Sequence, residues 1–276
     1  LIINKFKKLN HRIKDKNSLL DGAKSIMTTD TFPKVSIKNI NLDSQSFKIY
    51  GIAKGSGMIQ PNMGTMLAYI FLECEISKSI MNKLLKNNLE NTFNAITVDS
   101  DTSTSDTLMM FSVGNKNINL NNKNFKKLNN KIFELMHDLS IQVIKDGEGV
   151  SKLIRVNVLN SRTKNQAKKI AFSIANSPLV KTAVAGEDAN WGRVIMAIGK
   201  TEENINQNKI KVLFGNNIVC ENGSISKKIN IKNLNKYMKN NTIEINVKLN
   251  LGKFSHTVYG NDLTLEYLKI NADYRS

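Results

Sequence analysis

The sequence predicts an α/β protein whose helices and strands stack in layers. Short apolar or alternating runs of strand length recur along the chain, and between them lie longer stretches with apolar residues at helical spacing. Strands and helices mix without an internal repeat, which favours an α/β fold with layered sheets. With 276 residues, of which 41% are hydrophobic, the chain can build a sizeable core without disulfides.

The first half predicts a helix, a hairpin and further strands around two helices. The hairpin turns at Asp43-Ser44 between two alternating runs, and Ser77 is placed to cap the helix that follows it. The predicted strands are 35–42, 47–53, 66–72, 95–98 and 108–113, and the predicted helices are 9–27, 76–89 and 125–145.

The second half predicts six strands and four helices. The strands are 151–159, 179–185, 209–214, 218–220, 242–249 and 253–259, and the helices are 164–176, 191–199, 229–238 and one that begins at Asp262. No stretch rich in Pro, Gly and Ser separates the halves, so one compact body is expected rather than independent domains.

Composition narrows the class of protein. The longest apolar run, 66–72, is far shorter than the ~20 residues of a membrane span, so no membrane insertion is expected. Two cysteines in apolar surroundings predict free thiols in a reducing, cytoplasmic compartment. The net charge of +17 allows a basic nucleic-acid-binding protein as a weaker alternative, but the lysines are scattered among asparagines instead of clustered.

The stretch KGSGMIQPNMGTML, at 54–67, can support self-cleavage. Gly64 directly precedes Thr65 at the start of an apolar strand, and a Thr hydroxyl there can attack the preceding carbonyl. The resulting ester would hydrolyse, which leaves Thr65 with a free amine that can act as base for its own hydroxyl. An ordinary turn entering a strand explains the same pattern.

The acidic loop TVDSDTSTSD, at 97–106, has two interpretations. Asp-x-Asp after a strand is how one class of phosphatases places an aspartyl nucleophile beside Mg²⁺. A hydrogen-bonded loop that supports a neighbouring site explains the pattern as well. The three histidines show no metal-ligand spacing, so no metal is expected.

Two charged residues are candidates for substrate contact. Lys54 can extend into solvent or pair with a substrate carboxylate. Glu148, between two glycines, is either a solvated turn residue or a partner for a substrate ammonium.

Five stretches together resemble the glutamate N-acetyltransferase (ornithine acetyltransferase) family of arginine biosynthesis. They are MTTDT at 27–31, the segment 54–67, FNAITVDSDTSTSDT at 93–107, GEDANWGR at 186–193 and INADYRS at 270–276. They occur in family order and span nearly the whole chain.

The resemblance implies a layered α-β-β-α sandwich and a self-processed acetyltransferase. It moves acetyl from N2-acetyl-L-ornithine to L-glutamate through an acetyl-threonine intermediate, with Thr65 as nucleophile and the cut between Gly64 and Thr65. Residues 1–64 would be the end of the α chain and 65–276 the β chain, commonly assembled as a heterotetramer. The implied substrate-binding residues are Thr31, Lys54, Thr65, Glu148, Asn271 and Ser276.

The resemblance implies no metal or organic cofactor, with acetyl-CoA as a further candidate donor. The nearest alternative is a self-processing amidohydrolase or aminopeptidase that uses Thr65. Gly64 replaces the usual Ala and Ser276 the usual Thr, which preserves a small residue and a hydroxyl. The family's oxyanion-hole Thr-Gly pair has no counterpart here, so we expect the chain to lack an N-terminal portion that carries it.

Overall fold

The computed structural model describes residues 18–43, 45–60, 66–102, 105–114 and 116–273. In these ranges the chain forms two sheets flanked by helices, which confirms the predicted α/β class. The first part of the predicted helix 9–27 and the Ser44 turn residue lie outside the described residues.

The first sheet is built from the first half of the chain. Its strands are β1 (Lys34–Leu42), β2 (Gln45–Lys54), β3 (Leu67–Leu72) and β4 (Thr107–Ser112), in the order β1-β2-β3-β4. The strands β1 and β2 form the predicted hairpin, β2 and β3 are antiparallel with Lys54 opposite Leu67, and β3 and β4 are parallel. Alternate residues of β2 and β3 are buried, so this sheet packs one face on a core.

Among the residues that the structure describes, three helices accompany the first sheet. They are α1 (Ser18–Ser25), α2 (Lys78–Leu89) and α3 (Asn122–Lys145). The Ser77 hydroxyl accepts a hydrogen bond from the Ile80 N–H, which confirms the predicted cap of α2. The apolar stripe of α3 packs on β1 and β2, and the glycine-containing turn after Lys145 ends the helix as predicted.

The second sheet comes from the second half of the chain. Its strands are β5 (Leu153–Ser161), β6 (Lys211–Phe214), β7 (Asn217–Glu221), β8 (Ser224–Ile225), β9 (Thr242–Lys248) and β10 (Phe254–Asn261), in the order β10-β5-β9-β6-β7-β8. The helices are α4 (Lys164–Ala175), α5 (Pro178–Ala185), α6 (Trp191–Gly199), α7 (Ile231–Met238) and α8 (Leu265–Asp273). The strand β8 was not predicted.

The structure corrects two predicted strands. The segment 179–185 lies in α5, because Pro178 occupies the first helical turn and the Ser177 hydroxyl accepts from the Val180 N–H. The segment 95–98 is not a strand, since Phe93–Ala95 form a 3-10 turn and Ile96 makes only an isolated bridge to Tyr259. Its apolar residues are buried, but no neighbouring strand extends the pairing.

Each half has its own hydrophobic cluster, and contacts join them near the acidic loop. The Thr97 N–H donates to the Tyr259 carbonyl at 2.9 Å, and a ring nitrogen of His137 on α3 lies 3.2 Å from the Tyr259 hydroxyl. These contacts place the end of β10 beside α3 and beside the loop that follows Ile96.

Candidate functional site

A cavity of about 290 Å³ lies where the end of β2, the turn after α3 and the helix α8 meet. Three residues singled out from the sequence, Lys54, Glu148 and Asn271, line it together. The remaining lining residues are Thr28, Thr29, Gly55, Ser56, Gly57 and Met58. Residues far apart in the chain thus converge on one concave surface, as in small-molecule sites.

The cavity contains charges of both signs that do not neutralise each other. Within the described ranges, neither Lys54 nor Glu148 takes part in an ion pair. The Asn271 side-chain amide donates to a Glu148 carboxylate oxygen at 2.9 Å and so orients it. One ammonium and one carboxylate, held apart, suit a zwitterionic ligand.

Gly57 allows Glu148 to approach the loop that follows β2. A Cβ at position 57 would lie 2.5 Å from a Glu148 carboxylate oxygen, so any larger residue would displace that side chain. Gly149, with φ +65°, fits the left-handed turn after Glu148, and a Cβ there would collide with the backbone of Tyr267 on α8. The two glycines let the turn pack tightly between the loop and α8.

A buried ion cluster supports the cavity wall. Lys34 is fully buried, and its Nζ lies 2.5 Å from a carboxylate oxygen of Asp30 and 2.5 Å from one of Asp146. Asp30 also accepts the Gly55 N–H at 2.7 Å, and the Asp146 carbonyl accepts the Ser56 hydroxyl at 2.6 Å. The cluster therefore fixes both residues that follow Lys54.

At Asp30, the effect of hydrogen bonding on the carboxyl pKa outweighs the effect of burial. Burial alone would raise the pKa of this carboxyl, but the Gly55 N–H and the Lys34 ammonium lower it below its usual value. Asp30 is therefore a carboxylate at neutral pH, and it anchors the turn by accepting the Thr28 N–H at 3.0 Å.

Thr31 does not line the cavity. Its backbone N–H donates to Asp146 at 2.9 Å, and its hydroxyl donates to the same carboxylate. Thr31 therefore joins the structure behind the cavity wall, while Thr28 and Thr29 of the same stretch face the cavity. Gly64, Thr65 and Ser276 lie outside the described residues.

The acidic loop holds the described neighbours of the segment 61–65 on both sides. Asp99 accepts the Met58 N–H at 2.6 Å and the Ile59 N–H at 2.9 Å. On the other side, Asp106 accepts the Met66 N–H. The described residues on either side of the segment that contains the predicted nucleophile are thus tied to one loop.

This geometry favours the structural interpretation of the loop over the phosphatase interpretation. Both carboxylate oxygens of Asp99 already accept backbone N–H groups, whereas an aspartyl nucleophile needs an oxygen free for attack. In the part of the chain described, no group of three or more His, Cys, Asp or Glu is placed to hold a metal ion.

Two more general findings concern the described residues. No helix among them is both long enough and apolar enough to cross a bilayer. Cys74 and Cys220 are free thiols, as predicted, and burial raises the pKa of both.

Sequence reasoning missed the residues that shape the cavity from behind. Lys34 and Asp146 carried no motif, Asp30 was noted only as part of the stretch 27–31, and Ser56 was treated only as part of a glycine-rich stretch. A lysine four residues after an aspartate in the TTDTFPK segment is a signal for a local ion pair, but nothing in the sequence indicates that Asp146 completes the cluster.

Comparisons with known proteins give one consistent result. The model of the ArgJ family matches residues 1–276, the whole chain. The chain is similar to the arginine biosynthesis bifunctional protein ArgJ of Bartonella henselae, with 45% identity over 261 residues, covering 93% of this chain and 64% of the relative. It is also similar to the protein of that name from Nitrobacter winogradskyi, with 46% identity over 264 residues, 93% of this chain and 63% of the relative.

A solved structure agrees with the fold. The crystal structure of the arginine biosynthesis bifunctional protein ArgJ from Bacillus halodurans superposes with a TM-score of 0.69 and 32% identity, and it covers 76% of this chain and 100% of its own. The chain spans less than two thirds of the length of the curated relatives above. From the family match over its full length and these identities, the chain belongs to the ArgJ family.

Proposed function

We propose that this protein is a glutamate N-acetyltransferase of arginine biosynthesis, which moves acetyl from N2-acetyl-L-ornithine to L-glutamate through an acetyl ester on Thr65. Membership of the ArgJ family supports the reaction class. The observation that carries the proposal is the cavity where Lys54 and Glu148 present opposite charges, neither of them in an ion pair with another described residue. Both amino acids in this reaction carry charges of both signs, so such a cavity matches what they share.

Self-cleavage prepares the nucleophile in this proposal. The Thr65 hydroxyl attacks the Gly64 carbonyl carbon, the peptide C–N bond breaks as an ester forms, and water then hydrolyses the ester. The products are residues 1–64 with a new carboxylate and residues 65–276 with a free Thr65 amine.

Acetyl transfer then follows in two steps. The Thr65 amine takes the hydroxyl proton as the hydroxyl attacks the acetyl carbonyl. It then donates that proton to the amide nitrogen as the C–N bond breaks, so that ornithine leaves with a free α-amine and the acetyl group stays on Thr65 as an ester. The α-amine of glutamate next attacks the acetyl ester, which releases N-acetylglutamate and restores the hydroxyl. Neither step requires a metal or an organic cofactor, and acetyl-CoA is proposed as a second donor for the first step.

The binding roles follow the cavity. Lys54 pairs with a substrate carboxylate, and Glu148, held by Asn271, pairs with an ammonium. Thr31 acts through Asp146, and Ser276 contributes a hydroxyl from the end of the chain. The two pieces stay associated and assemble as a heterotetramer in the cytoplasm.

Mass measurement tests the nucleophile. Two proteins are purified: the chain of 276 residues, and the same chain extended by the N-terminal segment of a relative. The intact mass of each is compared with that of its Thr65→Ala variant. We expect two pieces, 1–64 and 65–276, in the extended protein and one uncut piece in the variant. An uncut extended protein would overturn the proposal.

Labelled substrate separates transfer from hydrolysis. The cut protein is incubated with N2-acetyl-L-ornithine that carries a labelled acetyl group, with and without glutamate. With glutamate present, we expect the label in N-acetylglutamate. With glutamate absent, we expect the label on the 65–276 piece. Label released only as acetate would instead make the protein a Thr-dependent amidohydrolase.

A further inference from the structure

A second cavity, of about 240 Å³, lies between α2, the 3-10 turn Phe93–Ala95 and the start of β4. Its apolar walls come from Met66, Leu85, Leu89, Phe93 and Leu108. An apolar cavity of ~150 Å³ is large enough to bind benzene, so this one has room for a compact aliphatic or aromatic group. It shares no lining residue with the cavity that contains Lys54.

Two hydrogen-bond acceptors on residues that line this cavity have no partner among the described residues. They are the side-chain oxygen of Asn94 and one carboxylate oxygen of Asp106, and both atoms are buried. The Asn94 amide nitrogen donates to Glu90 at 2.8 Å, which fixes the orientation of the amide. The other Asp106 oxygen accepts the Met66 N–H. Buried acceptors without partners are rare in proteins, and they indicate a missing donor.

The charges favour a cationic donor. Burial raises the pKa of Asp106 to about 6, so this carboxyl is mostly ionised at neutral pH. A carboxylate in an apolar wall is stabilised most by a charged donor, because such hydrogen bonds are roughly twice as strong as neutral ones. Lys86 is exposed beside the cavity and, within the described ranges, makes no ion pair, so it can meet a ligand carboxylate.

We propose that this cavity binds a small primary amine with a compact apolar body, and that α-amino acids with apolar side chains fit it best. The ammonium donates to Asp106 and Asn94, and the apolar body fills the space between Leu85 and Leu108. The carboxylate of an amino acid reaches Lys86. Because Asp106 also accepts the Met66 N–H, a bound amine changes the surroundings of Met66, the residue directly after Thr65.

Methyl NMR tests this site on the protein as purified, whether or not it transfers acetyl groups. The chain has 10 methionines, and Met66 lines the cavity while the half-exposed Met196 lies on α6. With the methionine methyls labelled and Met66 assigned from a Met66→Leu variant, L-leucine, isoamylamine and isoamyl alcohol are titrated in turn. We expect a saturable shift of the Met66 signal, no shift of Met196, and binding of both amines at least tenfold tighter than that of the alcohol.

Two variants test separately whether binding depends on the space in the cavity and on the charge of Asp106. Leu85→Trp fills the cavity and should abolish the Met66 shift, whereas Leu179→Trp, at a half-exposed position on α5, should leave it unchanged. Asp106→Asn should weaken amine binding at least tenfold and leave alcohol binding unchanged. Equal affinity for amine and alcohol in the unsubstituted protein would overturn the proposal and leave an apolar cavity whose acceptors are satisfied by water. A Met66 shift that survives Leu85→Trp would also overturn it.

Discussion

The Nζ of Lys34 lies 2.5 Å from a carboxylate oxygen of Asp146, and both side chains are almost fully shielded from water. This pair joins the first residue of β1 to the turn after α3. Breaking a buried ion pair by removing one partner costs more than the pair contributes net, because a charge is left uncompensated. The position of the turn that carries Glu148 therefore depends on Lys34.

Lys34→Met tests this dependence. We expect the free energy of unfolding to fall by ~3–5 kcal/mol, since Asp30 and Asp146 would lose their common cation. The matched control is Lys38→Met, which removes the more exposed pair with Asp138 and should cost ~0–1 kcal/mol. Urea unfolding of both variants measures the difference, and equal losses would contradict the role assigned to Lys34.

Glu148→Gln tests the cavity as the substrate site. The substitution preserves shape but removes the charge, so we expect KM for N2-acetyl-L-ornithine to rise by ~10–100-fold, the equivalent of one charged hydrogen bond, with a smaller change in kcat. Glu134→Gln, in an exposed pair on α3, is the control and should leave both constants unchanged. An unaltered KM in Glu148→Gln would place substrate recognition elsewhere.

Asp99→Asn distinguishes a structural from a catalytic acidic loop. The Met58 and Ile59 N–H groups donate to different oxygens of Asp99, and an asparagine keeps only one acceptor oxygen, so the unfolding free energy should fall by ~1–3 kcal/mol. Acetyl transfer should decrease in parallel, and no Mg²⁺-dependent phosphatase activity should be present in either protein. Phosphatase activity that is lost in Asp99→Asn and kept in Thr65→Ala would reverse the assignment.

His256 predicts a loss of stability in mild acid. It is 4% exposed, neither ring nitrogen has a partner among the described residues, and burial lowers its pKa to about 4. The unfolded chain binds a proton near pH 6.5 and the folded one only near 4, so stability falls as the pH drops between these values, by up to ~3 kcal/mol.

Unfolding of a His256→Phe variant between pH 4 and 7 checks the assignment. The variant should lose less stability than the unsubstituted protein over this range, because it has no imidazole to protonate. Parallel pH profiles for the two proteins would show that another group is responsible.

The sequence predicted the elements where periodicity is regular and failed where short apolar runs are ambiguous. The hairpin of β1 and β2 and the helix α3 follow directly from alternation and helical spacing. The segment 179–185 is short and mostly apolar, so period alone could not separate helix from strand. The Ser177-Pro178 pair was the available signal, since Pro favours the first turn of a helix.

The candidate site could be predicted only in part. Lys54 and Glu148 were already candidates from their charge, but Asn271 was selected only through the family resemblance, and no spacing in the chain indicates that Asn271 reaches Glu148. The Asp30–Lys34–Asp146 cluster was not predicted, because charged residues are ordinarily expected at the surface. Tertiary contacts across more than a hundred residues decide both arrangements.

The antiparallel pairing of β2 with β3 has a consequence for refolding after the proposed cut. A cut between Gly64 and Thr65 would place β2 in one piece and β3 in the other, with Lys54 still opposite Leu67 in the middle of a sheet. Before the cut, this pairing forms within one chain, whereas afterwards it would require two chains to meet, at a rate that depends on concentration. Maturation would thus be one-way, because a denatured mature molecule has lost the connection that first brought its central strands together.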